Sequence, residues 1–289
     1  MHKKYTYLLC ITLFFLPAIA LYAGGTNTNL YPTRDDGRWF FLKSSDLPSA
    51  KQHQRHAEIF GKYVTGYNQF VLRGIDVVQS RVKNGGGYFA NVKANPPESP
   101  IGYPLSLFGI SLLKPARSTS YCSGATYAAF IESLNLIFPN GSQKLTQQRA
   151  EAMRMQEPNG GRREDGVKFW GHWNDDGFGS QYALVQYSGM GEEITPARAR
   201  PGDFMNISWT FGGGHSVIFL GWTRGRDDRI GVAYWSSQKD TNGCADVYAD
   251  SLRLIKEVKI VRLTKPHNLF NFNTKQPVHH NVTGSKLPR

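Results

Sequence analysis

The apolar residues of this chain change their period part-way along, and that change limits what it can fold into. Between about 48 and 83, Val64, Tyr67, Val71, Ile75, Val78 and Val82 recur at spacings of three and four, one face of a helix that runs into the stop signal Gly85-Gly86-Gly87. A second apolar helix is expected from Cys122 onward, with Tyr127, Phe130, Ile131, Leu134 and Phe138 in register and a stop at Pro139-Asn140-Gly141. A shorter helix is expected from Thr146 to Met155. From 204 the period becomes two: Met205, Ile207 and Trp209 alternate with Phe204, Asn206 and Ser208. His215–Leu220, Gly231–Trp235 and Val258–Leu263 read as further short strands, antiparallel because turns separate them. Helices first and strands later indicate an α+β fold. The stretch 157–201 is rich in Gly, Arg, Asp and Trp without a firm period, which suits a substrate-binding insertion.

The first residues carry Lys3 and Lys4, then an apolar run from Tyr7 to Leu16 and the small-x-small site Ala18-Ile19-Ala20. This is the pattern of a secretory signal peptide, expected over residues 1–23, and its run is too short for a membrane span. The expected organisation is a helical extension over 24–100, ending near the rigid Asn95-Pro96-Pro97, a main domain over 101–265, and a polar, mobile tail over 266–289. The formal charge is +12, and removal of residues 1–23 leaves +10. Outside the cytoplasm such a surface suits an anionic cell-envelope polymer or serves solubility alone. No nucleic-acid recognition motif accompanies it.

Two cysteines remain after cleavage, Cys122 and Cys244, and in an exported protein a disulfide between them is one reading. The other reads Cys122 as a nucleophile. Ser118, Thr119 and Ser120 are N-cap residue types, so Cys122 falls at a helix start, where partial positive charge and open N–H groups favour thiolate and stabilise an oxyanion. The partner base is sought among seven histidines. His53 and His56 lie in a polar helix, and His267, His279 and His280 in the tail. Only His172 and His215 sit in suggestive settings, and His215 opens an apolar strand after Gly212-Gly213-Gly214, with room beside its ring.

Three motifs in order resemble those of the NlpC/P60 cell-wall peptidases. Tyr121-Cys122-Ser123-Gly124-Ala125-Thr126 is similar to the family's cysteine motif, Pro201-Gly202-Asp203-Phe204 to its Pro-Gly-Asp turn, and Gly214-His215-Ser216-Val217-Ile218-Phe219-Leu220-Gly221 to its histidine strand. The resemblance covers roughly 105 to 265. It implies a papain-like core shared with CHAP amidases, and hydrolysis of peptide or amide bonds in peptidoglycan without a cofactor or metal. Three departures stand out. Tyr121 replaces the frequent Asp, 93 residues separate cysteine from histidine, and the third polar residue is not obvious. Gln238 or Ser237 occupies its place, with Gln238 preferred as an amide that fixes the imidazole tautomer.

Tyr121, Ser123, Gly124 and Gly214 are expected to flank the substrate, Gly124 by leaving space beside the sulfur. Trp173 and Asn174, in Trp170-Gly171-His172-Trp173-Asn174-Asp175-Asp176, suit a sugar or peptide platform. His172 with Asp175 and Asp176 is too small a set for a metal. Glu192-Glu193 and Asp227-Asp228 read as charged turns rather than a glycosidase pair. The rival functions are a related cysteine acyl-transferase or protease acting on protein or lipid, and a non-enzymatic, disulfide-bonded envelope-binding module. An inhibitor or immunity partner is left open.

Overall fold

The computed structural model describes residues 38–91, 93–154, 183–224, 230–249, 254–276 and 284–287. The expected signal peptide, Trp173, Asn174 and His172 lie outside them. Residues Tyr31–Arg289 form one compact unit. The architecture is α+β: helices packed on an antiparallel sheet.

The helix expected over 48–83 is broken. Helix α1 spans His56–Phe60, a 3-10 turn follows over Gly61–Tyr63, and helix α2 starts afresh at Asn68 and runs to Arg81. Gly66, at φ 67, turns the chain between them. The apolar stretch Leu105–Leu113 is a hairpin of β1 (Leu105–Leu107) and β2 (Ile110–Leu113). Helix α3 spans Cys122–Ile137, as its periodicity predicts, and α4 spans Gln147–Ala152 with the Thr146 side chain capping the Arg149 N–H.

Among the described residues six strands make the sheet: β3 (Gly191–Glu193), β4 (Phe204–Trp209), β5 (Gly214–Arg224), β6 (Ile230–Gln238), β7 (Gly243–Ala249) and β8 (Ile255–Leu263), in the order β3-β8-β4-β5-β6-β7. Strands β4, β5, β6 and β8 were legible from their alternation. Strand β7, Gly-Cys-Ala-Asp-Val-Tyr-Ala, was not, because a buried aspartate interrupts its apolar face. The tail is also corrected: Pro266–Phe270 forms a 3-10 turn, Leu269 and Phe272 are buried, and Ser285 bonds Val258.

One face of the sheet packs on α2 and α3 through Ile218, Leu220, Trp235 and Phe204, with Phe130 edge-on to Phe204 at 5.8 Å. Trp39 to Phe41 cover the other, over Met205, Ile207, Val217, Phe219 and Tyr234, with the Trp222 N–H bonded to the Phe40 carbonyl at 3.0 Å. The Pro-Gly-Asp turn is a structural clasp. Buried Asp203 accepts two 2.7 Å bonds from Arg262 on β8, one from Asn68 on α2 and one from the Arg200 amide.

Helix α3 is seated by small residues. A methyl group on Gly74 of α2 would lie 2.5 Å from the Ala129 carbonyl, so the two helices meet nearly backbone to backbone. At the start of α3, a β-carbon on Gly124 would overlap the Pro100 carbonyl. The missing side chain is therefore filled by protein and leaves no space for a substrate, which corrects the expectation for Gly124. Gly124→Ala should lower stability by about 3 kcal/mol or more, because the obstacle is rigid backbone. The measurement is the urea midpoint, and an unchanged midpoint rules out this seat.

Candidate functional site

The site forms where two strands part. Strands β5 and β6 are paired from Ile218↔Trp235 to Arg224↔Ile230. Ahead of Ile218 the ladder between them stops, and the N-terminus of α3 fills the gap. The Cys122 sulfur there accepts from the Ser216 backbone N–H, and the N–H groups of Ser123 and of Cys122 itself lie beside it and favour its thiolate. Thr126, one turn into α3, bonds the Ser216 hydroxyl at 2.9 Å and fixes helix to strand at this point. His215 thus adjoins the residue whose amide holds the thiol.

Across the same gap the His215 Nε2–H donates to Gln238 Oε1 at 3.0 Å, and the Tyr234 hydroxyl donates to the same oxygen at 3.2 Å. A carbonyl oxygen only accepts, so Nε2 carries the ring proton and Nδ1 is the basic nitrogen. Tyr234 also packs edge-on to the imidazole, 5.5 Å between centroids. Gln238 and Tyr234 share a face of β6. Ser237 points to the other face, where its hydroxyl meets that of Ser120 at 2.7 Å, close to Cys244. Of the two candidates for the third residue, only Gln238 reaches the histidine.

Cys122 and Cys244 are both free thiols, which removes the disulfide considered for them. Cys244 is buried, and burial pushes its thiol up to about 12. Tyr121 and Ser123 are buried too, so their side chains belong to the core, and Ser123 serves the site through its amide. Gly214 is half-buried and pairs with Ser208. Tyr88, unremarked in the sequence, is brought alongside by the bridge Tyr88↔Ser120. Burial raises its phenol, with a further push from the Cys122 charge. Only the nearby glycine run hinted at this placement.

Both groups of the pair favour their neutral forms. Burial pushes the Cys122 thiol above its ordinary value, and the three N–H groups only partly offset it. This corrects the expectation of a lowered thiol. Burial takes His215 down to about 4 against the opposing bond to Gln238. The resting site is therefore thiol plus neutral imidazole. The alkylation rate of Cys122 by iodoacetamide should keep rising about tenfold per pH unit from pH 6 to beyond pH 9. A plateau established below pH 7 contradicts this, and Cys244 should stay unlabelled in the folded protein.

A second cluster lies in the helix read as merely polar. His56 is buried, its Nδ1–H donating to Asp76 at 2.7 Å and its Nε2–H to Asp246 at 2.9 Å. His53 stacks on it at 4.2 Å and bonds the other Asp246 oxygen at 2.9 Å. The ligand atoms of His53, His56 and Asp246 lie within 4.8 Å of one another, as a metal would require. The hydrogen bonds favour protons instead: the Arg55 N–H bonds His53 Nδ1 at 3.2 Å, so its Nε2 is protonated and not a ligand. Asp76 also accepts the N–H groups of His56 and Ala57, capping α1 from α2. The cluster thus ties α1, α2 and β7 together by charge.

Burial alone pushes His56 down, but Asp246 and Asp76 outweigh it and raise the imidazole to about 9. Burial likewise works against the Asp246 charge, and His56 and His53 bring its carboxyl below the usual range. The His56 contribution is complete below its unfolded value near 6.5 and is lost as pH rises through about 9. The Asp246 contribution is present above the ordinary carboxylate value and lost in acid. Urea midpoints should fall between pH 6.5 and 9.5 by the equivalent of about 3 kcal/mol. His56→Gln should remove that slope, and a wild-type midpoint flat across this range refutes the assignment.

No known family, curated protein or solved structure matches this chain. Among the described residues, no helix is long and apolar enough to cross a membrane.

Proposed function

We propose that this chain is an exported cysteine hydrolase that cleaves amide or peptide bonds of peptidoglycan, on a papain-like core of the NlpC/P60 kind. The observation that carries the chemistry is the shared gap: the thiol rests on the Ser216 amide while the adjacent His215 is held by Gln238. The choice of peptidoglycan is supported by the three motifs, the export-type leader and the basic charge, which suits a polymer bearing free carboxylates.

The proposed reaction begins from neutral partners. As the Cys122 sulfur attacks the carbonyl, its proton passes to His215 Nδ1, and the imidazolium is steadied through Nε2–H by Gln238. The tetrahedral oxyanion is met by N–H groups at the start of α3, that of Cys122 among them. His215 then protonates the leaving amine, and water releases the acyl group by the same route in reverse. Tyr234 occupies the second lone pair of Gln238 Oε1 and keeps the amide from flipping.

The binding-module alternative requires a disulfide, and both cysteines are free. A hydrolase or acyl-transferase for protein or lipid would use the same pair, and products separate the cases. Purified peptidoglycan treated with the mature protein should yield new amino groups and shortened muropeptides by mass analysis. Cys122→Ala should abolish the release, and His215→Ala should slow it about 10²- to 10⁴-fold. Undiminished release by Cys122→Ala would falsify the nucleophile, and cleavage of protein or lipid with none of peptidoglycan would reassign the substrate.

A further inference from the structure

The β4–β5 hairpin that leads into His215 carries an aromatic pair that the proposed chemistry does not use. Phe211 is 72% exposed, and its ring lies parallel to that of Trp209, 5° between planes and 6.0 Å between centroids. Gly212 and Gly213, at φ 96 and 73, turn the hairpin, and among the described residues nothing lies within 4 Å of where a β-carbon on either would stand. The Thr210 N–H bonded to the Leu254 carbonyl at 2.8 Å anchors the hairpin to the segment before β8.

Strand register places the pair beside the site. Ile207 is the Cα partner of His215, and paired residues share a face. Trp209 is two residues beyond Ile207, on that same face and about 7 Å along the strand. The hydrophobic layer that Trp209 joins contains Tyr234, which touches His215. Among the described residues, the polar groups beside His215 in this layer are an imidazole, an amide and a phenol, those of His215, Gln238 and Tyr234, with the Asp240 carboxylate near enough to act on the phenol. With His215 held near 4, all three are uncharged at neutral pH.

We infer that Trp209 and Phe211 form a stacking subsite for a neutral hexopyranose ring contiguous with Cys122 and His215, so that the substrate is a peptide still attached to its sugar. The second half of this statement rests on the hydrolase reading. A flat apolar surface bordered by neutral hydrogen-bonding groups matches a pyranose, which presents one C–H face and a rim of hydroxyls. A nucleotide or an anionic lipid headgroup needs cations for its phosphate; His215, Gln238 and Tyr234 supply none, and the Asp240 carboxylate beside Tyr234 suits sugar hydroxyls rather than a phosphate.

The test uses the full mature chain with Cys122→Ala, so that binding is read without turnover. Calorimetry with N-acetylglucosamine tetramer should show one site. Phe211→Ala, at a position too exposed to support the core, should weaken it at least fivefold with an unchanged melting temperature. Trp209→Phe should retain most of the binding. Absence of tetramer binding, or binding indifferent to Phe211→Ala, overturns the subsite. Phe211-dependent binding to phosphatidylglycerol vesicles or to oligo(dT), without tetramer binding, also overturns it and assigns the pair to lipid or nucleic acid. Saccharide binding lost in Phe211→Ala, in a protein that cleaves no peptidoglycan, keeps the subsite and rejects the hydrolase.

Discussion

The hydrogen bond from the Ser216 amide to the Cys122 sulfur depends on a strand ladder that stops early. Were β6 to follow β5 two residues further, that amide would be spent on strand pairing and the gap would close. The parting of the strands provides three things together. It opens a donor for the sulfur, admits the first turn of α3 between sheet and solvent, and lets Gln238 approach His215 across the opening. The remaining structure can be read as what holds this gap in register. Pro100 sits against Gly124 at one side, Thr126 bonds Ser216 at the base, and the Asp203 clasp joins β4, β8 and α2 beneath.

Burial acts in opposite directions at the two titratable clusters, and the difference is the presence of a counter-charge. His56 has two carboxylates in hydrogen-bond contact, so removal from water is outweighed and the ring stays charged. His215 has only an amide dipole, so the same desolvation leaves it neutral. One histidine therefore joins elements by charge, and the other retains a lone pair for accepting a proton. Exchanging their surroundings would exchange their roles, since the side chain is identical.

The sequence conveyed the site better than it conveyed the support around it. Cys122, His215 and Gln238 each stand at the start or end of a strongly patterned element, so their positions follow from periodicity and cap residues. The pKa of the thiol did not follow. A helix start is visible in the letters Ser118 to Ser120, whereas the Tyr88, Glu98 and Tyr234 side chains that interact with the thiol come from parts of the chain distant from it in sequence. His56 was misread for the same reason. Its neighbours in sequence are polar, and its partners, Asp76 and Asp246, lie 20 and 190 residues away. Strand β7 escaped notice because Asp246, the residue that serves the charge cluster, spoils its alternation. The helix break at Gly61 and Gly66 was written in ordinary glycine punctuation but was outweighed by the period on either side.

A neutral pair changes what the site asks of its substrate. A preformed thiolate–imidazolium pair would carry its charge separation at rest, in surroundings that burial makes hostile to charge. In the proposed reaction the charge separates only as the carbon–sulfur bond forms, when the oxyanion, the helix-start amides and the imidazolium on Gln238 are all in place. In that proposed reaction the groups that already touch the thiol and the imidazole at rest interact more strongly once charge develops, which is the condition for them to accelerate it. The arrangement also protects the thiol, since its oxidation proceeds through the thiolate that the resting site disfavours. The rigid seat of α3 is then a chemical requirement as well as a packing feature. Donors that are to stabilise a transition state must already stand where the developing charge will appear.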